Sequence, residues 1–408
     1  MNAPVELKIE DVVYPGRGLA RMDGYVVFIP GVLPGETVRA RITRRRRTYA
    51  EAELIAVEIP SPRRVDPACP LAGLCPGCSY QHAEYGEELR IKEAQFINLL
   101  RRIGRVAEPP SVPPVPSPVS LGYRNRLTLH AARVATSSLD MDGGIRLGYV
   151  GFDNRSVIDV PACPLAMEEI NLLLKRTRAD RRLMGGLGEG DTVSFRCTKT
   201  DGALFWINRA SPERALLSET TCLGPVSVPC RAFFQVNIPI ADALIRRVRD
   251  LFSALRPAAA VDLYCGAGIF ALAAGKAGVP AVLGIDQNRG AIRAARKNAG
   301  RHGLPGLRFE ALAAADGLKF GLAPLSPAGT ALIVDPPRAG LEKEVIAVIA
   351  SHKPGTLIYI SCAPDTLARD AARLADAGYR LENTQIFDMF PRTPYFESLT
   401  LFTLRPDE

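Results

Sequence analysis

From residue 240 onward, short apolar runs alternate strictly with helical stretches. The runs are AAAVDLY (258–264), AVLGID (281–286), LRFEA (307–311), ALIVDPP (331–337), TLIYIS (356–361), YRLENTQIF (379–387) and SLTLFTL (398–404). Helical patterns fill most gaps, at 269–277, 288–302, 341–352 and 365–377. Strands separated by helices pair in parallel through crossovers, and near-continuous apolar strands need cover on both faces. The alternation therefore predicts an open α/β sheet. In such sheets ligands bind beyond the carboxyl ends of the strands, so the residues at those ends are where chemistry is sought.

The first strand ends in Asp262-Leu263-Tyr264-Cys265-Gly266-Ala267-Gly268, and a helix follows. Glycines there let backbone approach a ligand closely. Asp286 ends the second strand, twenty residues after Gly266, the placement of an acid that binds a ribose diol. The loop lacks the third glycine of the dinucleotide fingerprint, which suits a nucleoside cofactor without phosphates, S-adenosylmethionine. Asp335-Pro336-Pro337-Arg338 closes the fourth strand, a turn typical of methyltransferases acting on a planar nitrogen heterocycle or amide. Cys362 ends the fifth strand beside a helix N-terminus, where its thiolate is expected to be favoured. Pyrimidine C5 is too weak a nucleophile to take a methyl group unaided. A thiolate added at C6 makes C5 nucleophilic, and a base must then remove the C5 proton. Glu397, at the start of the last strand, is the candidate base. Taken singly, Cys362 reads equally as a small core residue and Glu397 as a surface acid. Their conjunction with the glycine loop and the D-P-P-R turn favours chemistry.

Residues 1–58 read as a small barrel of four or five strands of the OB type, cut by Pro15-Gly16, Asp23-Gly24, Pro30-Gly31 and Pro34-Gly35. Six arginines fall within residues 39–47 without interleaved acids, which points to an anionic partner such as nucleic acid. A helix is expected over 87–103, then a stiff Pro-rich connector at 108–120. Residues 121–235 read as β-rich α+β, with one helix near 165–178. The 408 residues thus divide into 1–58, 59–232 and a catalytic 233–408. The net charge of +8 agrees with an RNA partner without selecting it. No apolar stretch is long enough to span a membrane and no secretory leader is visible, so a cytoplasmic monomer without membrane association is expected.

Nine cysteines in a reducing compartment argue against disulfides. Cys69, Cys75 and Cys78 form C-x5-C-x2-C, and three close thiolates need a compensating metal. For a fourth ligand His82 is near, but Cys163 shares a Cys-Pro-Leu setting with Cys69. Four thiolates suit zinc or a [4Fe–4S] cluster, and spacing leaves both open. Cys197, Cys222, Cys230 and Cys265 read as packing residues.

The chain resembles the RNA (uracil-5-)-methyltransferase family through FFQVN (233–237), DLYCGAGIF (262–270), DPPRAGL (335–341), YISCAPDTLARD (359–370) and DMFPRTPYFE (388–397). The N-terminal barrel resembles the TRAM domain through VYPGRGLARMDGYVVFIPGVLPGE. The resemblance implies a Rossmann-like class I methyltransferase domain that forms 5-methyluridine in RNA, with Cys362 as nucleophile and Glu397 as base. It implies S-adenosylmethionine contacts from Gln235, Tyr264, Asp286 and Asp335, with an adenine contact near Ala313–Asp316. It also implies a [4Fe–4S] cluster on Cys69, Cys75, Cys78 and Cys163, and 23S rRNA as substrate. Two positions depart from the family: Ala363 replaces the usual Asn after the nucleophile, and Tyr395 replaces a His. The alternatives are a methyltransferase for the tRNA T-loop, a radical methylthiotransferase, whose C-x3-C-x2-C is lacking, or a non-catalytic RNA-binding iron–sulfur sensor.

Overall fold

A computed structural model describes residues 3–133, 144–208 and 215–405. The ends of three expected strands, YRNRLTLHAARV at 134, GGIRLGYVG at 143 and ALFWINRA at 209–210, fall outside the described residues.

The N-terminal unit has six strands: β1 (Val5–Lys8), β2 (Asp11–Val13), β3 (Arg17–Met22), β4 (Tyr25–Pro30), β5 (Thr37–Arg45) and β6 (Tyr49–Ile59), in the order β1-β5-β6-β4-β3-β2. The count exceeds the expected four or five because VELKIEDVVY bends into β1 and β2. The two halves of that bent strand edge opposite ends of the sheet, which closes it as a barrel. Period-2 alternation fills the interior: Val38, Ala40 and Ile42 of β5 are buried, while Arg39 and Arg41 point out.

Next come α1 (Tyr85–Arg102) and β7 (Ser111–Val115). The Pro-rich connector is therefore partly a strand, which corrects the expectation. β7 pairs with one neighbour only, at the sheet edge, where proline costs no ladder bond. The middle region holds β8 (Arg126–Arg133), β9 (Ile145–Val150), β10 (Val157–Asp159), α2 (Glu168–Ala179), α3 (Arg181–Gly186), β11 (Thr192–Thr198) and β12 (Gly202–Ile207), with the five strands in one sheet. The hairpin β13 (Leu216–Thr221) and β14 (Gly224–Pro229) packs on the catalytic unit, where Asn298 bonds both backbone groups of Ser227.

The catalytic unit runs α4 (Ile238–Leu255), β15 (Ala259–Leu263), α5 (Ile269–Lys276), β16 (Ala281–Ile285), α6 (Arg289–Arg301), β17 (Arg308–Glu310), α7 (Ala314–Leu322), β18 (Thr330–Val334), α8 (Lys343–His352), β19 (Thr356–Ser361), α9 (Pro364–Asp376), β20 (Tyr379–Phe387) and β21 (Glu397–Leu404). Its sheet has the order β17-β16-β15-β18-β19-β21-β20-β7. β15 to β19 are parallel, while β21 runs antiparallel to both β19 and β20. The sheet is thus mixed rather than wholly parallel, and the chain reverses direction across it between β15 and β18. Two helices beyond those expected complete it. α4 was legible in Pro239 and the 3.6-residue spacing of Ile240, Leu244, Val248 and Leu251. α7 was masked by Gly317 and Gly321, poor helix formers; a Cβ on Gly317 would lie 2.5 Å from Ile285 and one on Gly321 3.0 Å from Leu283. Among the described residues no helix is long and apolar enough to cross a membrane.

Candidate active site

Strand register sets the site. Leu263 pairs with Ile285 and with Val334, so Asp286, Tyr264 and Asp335 stand level, one residue past three adjacent strand ends. Because β21 is antiparallel, it begins where β19 ends. Ser361 pairs with Ser398, so Cys362 and Glu397 are the next facing pair. All five residues, with Gln235, line one cavity of about 610 Å3. Leu312, Ala313 and Ala314 line it as well, while Asp316 does not.

The loop after β15 is shaped for a ligand. Tyr264 holds a left-handed φ of 66°, a conformation a tyrosine adopts only where its surroundings impose it. Gly268 has φ of 82°, and a Cβ there would lie 2.9 Å from Phe309. A Cβ on Gly266 would meet nothing within 4 Å, so the backbone faces open space. Asp286 is fixed by two amides, accepting from Gly266 N at 3.0 Å and Asn288 N at 2.7 Å. Gln235 Oε1, Tyr264 Oη and Glu397 Oε2 are buried without a hydrogen-bond partner. Buried polar atoms left unpaired are costly, and three on one cavity mark groups meant for a ligand. The donor set fits S-adenosylmethionine: an acid for a ribose diol, an apolar Leu312–Ala314 edge for a planar base, and Asp335 and Gln235 for the cationic end.

Electrostatics at the reacting end reverse one expectation. Burial, then the carboxyls of Glu397 and Asp335, push the Cys362 thiol up to about 12, while Arg338 pulls it down. The start of α9 does not make it a free thiolate. Burial and Asp335 drive the Glu397 carboxyl well above its usual range, with Arg338 opposing, and Glu397 is only 2% exposed. Burial raises Asp335 to about 7.

Cys69, Cys75, Cys78 and Cys163 line a second cavity of about 200 Å3. Among the described residues no three His, Cys, Asp or Glu side chains gather tightly enough to hold a single metal ion. Burial raises the Cys75 thiol and pushes Cys78 up to about 12, and the neighbouring cysteines add to both. Four soft thiol donors on one cavity suit a thiophilic metal group, zinc or iron–sulfur. His82 lies elsewhere, its Nε2 3.4 Å from Val32 O, and burial lowers it to about 4. Of the packing cysteines, Cys265 lines the larger cavity, Cys197 and Cys230 are buried and Cys222 is half-buried.

The arginine run divides. Arg39 and Arg41 on β5 pair with Glu58 and Glu53 on β6, so the acids missing locally come across the strand. Arg44 to Arg47 are exposed at the hairpin tip and make no ion pair among the described residues.

One network escaped sequence reasoning. Lys92 of α1 is fully buried, donating to Glu88 and Asp388 at 2.7 Å each and to Phe390 O at 3.2 Å. Burial works to lower its ammonium, but Asp388 and Glu88 outweigh this and hold it charged. Arg392 N donates to Glu88 at 2.7 Å and its guanidinium to Ala83 O at 2.7 Å. The Asp388–Phe396 strap leading to Glu397 is thereby clamped to α1. The signal was a Glu–Lys pair at i,i+4 on the helix's apolar face.

Known proteins match this architecture. The TRAM domain model matches residues 3–55, that of tRNA (Uracil-5-)-methyltransferase residues 325–405, and that of ribosomal protein L11 methyltransferase residues 250–321. The chain is 32% identical to the 23S rRNA (uracil(1939)-C(5))-methyltransferase RlmD of Azoarcus sp., over 97% of this chain and 98% of that protein. It is 29% identical to an uncharacterized RNA methyltransferase of Aquifex aeolicus, over 99% of each. The crystal structure of Pyrococcus abyssi tRNA (uracil-54, C5)-methyltransferase in complex with S-adenosyl-L-homocysteine superposes with a TM-score of 0.72 at 24% identity, covering 97% of this chain and 99% of that one, and shares the fold. With full-length identity of this order to named relatives, a TRAM barrel and a mixed α/β catalytic sheet, the chain belongs to the RNA (uracil-5-)-methyltransferase family.

Proposed function

We propose that this protein methylates uridine C5 in 23S rRNA, with Cys362 as nucleophile and Glu397 as base. The observation that carries the reading is the β19–β21 register, which sets thiol and carboxyl side by side on a cofactor-sized cavity. The target uridine leaves its stack to reach this crevice. The thiol gives up its proton to solvent water and the sulfur adds to C6; the C5–C6 π electrons move toward C5 and O4. S-adenosylmethionine, when bound, supplies an electrophilic methyl group. Gln235, Tyr264, Asp286 and Asp335 orient it. Glu397, a stronger base for its burial once ionised, takes the C5 proton, and expulsion of the Cys362 sulfur restores the double bond. The RNA substrate is supported by the barrel and by the names of the full-length relatives. Within this reading 1–58 and 59–232 hold RNA and 233–408 catalyses, in a cytoplasmic monomer.

We also assign a [4Fe–4S] cluster to Cys69, Cys75, Cys78 and Cys163, supported by the four-thiol cavity. Iron and acid-labile sulfide near four each per chain are expected; zinc without sulfide contradicts the assignment. For the reaction, tritium release from 5-³H-uridine RNA is the test. Release from 23S rRNA and not from tRNA is expected, with none for Cys362→Ala. Release by Cys362→Ala refutes the mechanism, and preference for tRNA refutes the substrate.

A further inference from the structure

Two cavities share a wall. Arg338 lines both the catalytic cavity and the four-cysteine cavity, and Tyr395, Phe390 and Thr393 line the latter. The Arg338 guanidinium lies 4.2 Å from the Tyr395 ring centroid, a cation–π stack. Arg338 and Cys362 line the same cavity, and the guanidinium is close enough to pull the thiol down. Arg338 is otherwise exposed, and a long exposed side chain does not hold one position without support. The support is built. Tyr395 N donates to Thr393 Oγ1 at 3.3 Å, Thr393 Oγ1 to Phe390 O at 2.8 Å, and Lys92 fixes Phe390 O from behind.

We propose that Tyr395 is a positioning residue for the Cys362 step: from the wall between the two cavities it holds Arg338 against the thiol. The chemistry needs this. Glu397 and Asp335 face Cys362 from β21 and β18 and disfavour its anion. Arg338 is the cation that opposes them. A tyrosine here supplies a flat ring that takes up no proton, whereas a histidine ring gains a charge that repels the guanidinium when pH falls below about 6.5.

The inference rests on Cys362 as nucleophile, and its test is kept separate from turnover. Iodoacetamide labelling of Cys362 in RNA-free protein, read by mass spectrometry of the Cys362 peptide at fixed pH, reports the thiolate directly. Tyr395→Phe, which keeps the ring, is expected to label within about twofold of the parent. Tyr395→Ala and Arg338→Ala are each expected to slow labelling roughly tenfold, the effect of about one pKa unit. The double variant is expected to be no slower than Arg338→Ala alone, because Tyr395 acts through Arg338. Parental labelling of Tyr395→Ala, or multiplied effects in the double variant, overturns the proposal. If Cys362→Ala still methylates RNA, the nucleophile reading fails whatever the labelling shows. If it is inactive and Tyr395→Ala labels normally, only the positioning role fails.

Discussion

At the Cys362 sulfur, burial and two carboxyls oppose one guanidinium, and the carboxyls with burial win. The sign gives a pH dependence. Only the thiolate reacts, and with the thiol pushed up to about 12 its fraction grows about tenfold per pH unit throughout the neutral and mildly alkaline range. Labelling of Cys362 in free enzyme is therefore expected to climb from pH 7 to 10 without levelling; a plateau near pH 8 would show an ordinary or depressed thiol. That Cys362 and Glu397 belong to one site was legible from strand ends and motifs. The direction of the thiol was not, because its opponents come from β18 and β21 and its support from residue 395. A helix N-terminus nearby is a sequence-level cue, whereas burial and opposing charge exist only after the chain has folded.

Among the elements, α1 decides more than its length suggests. Its buried Lys92 is bonded to Glu88 and Asp388, and removal of one partner leaves buried carboxylates uncompensated. Lys92→Met is expected to cost about 3–5 kcal/mol, read as a lowered urea midpoint, and to loosen the strap carrying Glu397. A stability within about 0.5 kcal/mol of the parent would contradict the clamp. In the β15–α5 loop, Gly268→Ala forces a side chain into a left-handed backbone against Phe309. The backbone alone costs about 1–2 kcal/mol, and weaker S-adenosylmethionine binding by calorimetry is expected; unchanged affinity counts against the loop's role. The strands and most helices of this unit were readable from apolar period and turn residues. The edge strand β7 was hidden by its prolines, and the polar buried face of α1 broke the apolar stripe that marks an inward-facing helix side.

At the scale of the whole molecule, the arginine run of residues 39–47 lies on the barrel's β5–β6 hairpin. The run of six arginines shrinks to four free ones at the β5–β6 tip once Glu53 and Glu58 claim Arg41 and Arg39. No local reading of the run shows this, since Glu53 lies 12 residues from Arg41 and Glu58 19 from Arg39, and they meet only through strand pairing. Replacing Arg44 to Arg47 by glutamine is expected to weaken RNA binding and flatten its salt dependence. The slope of log affinity against log salt should fall by roughly 0.7 for each lost phosphate contact. An unchanged slope would place RNA elsewhere. The barrel, α1, β7 and the catalytic sheet are joined by buried bonds such as Gln95 to Val12 O at 2.8 Å. The central claim is covalent catalysis in that crevice by a facing thiol and carboxyl. Glu397→Gln leaves addition and methyl transfer intact but removes the base. With 23S rRNA and S-adenosylmethionine, it is predicted to accumulate a denaturation-resistant RNA–protein adduct, methylated and mapped by mass spectrometry to the Cys362 peptide. Absence of an adduct, or an adduct on any other cysteine, contradicts the account.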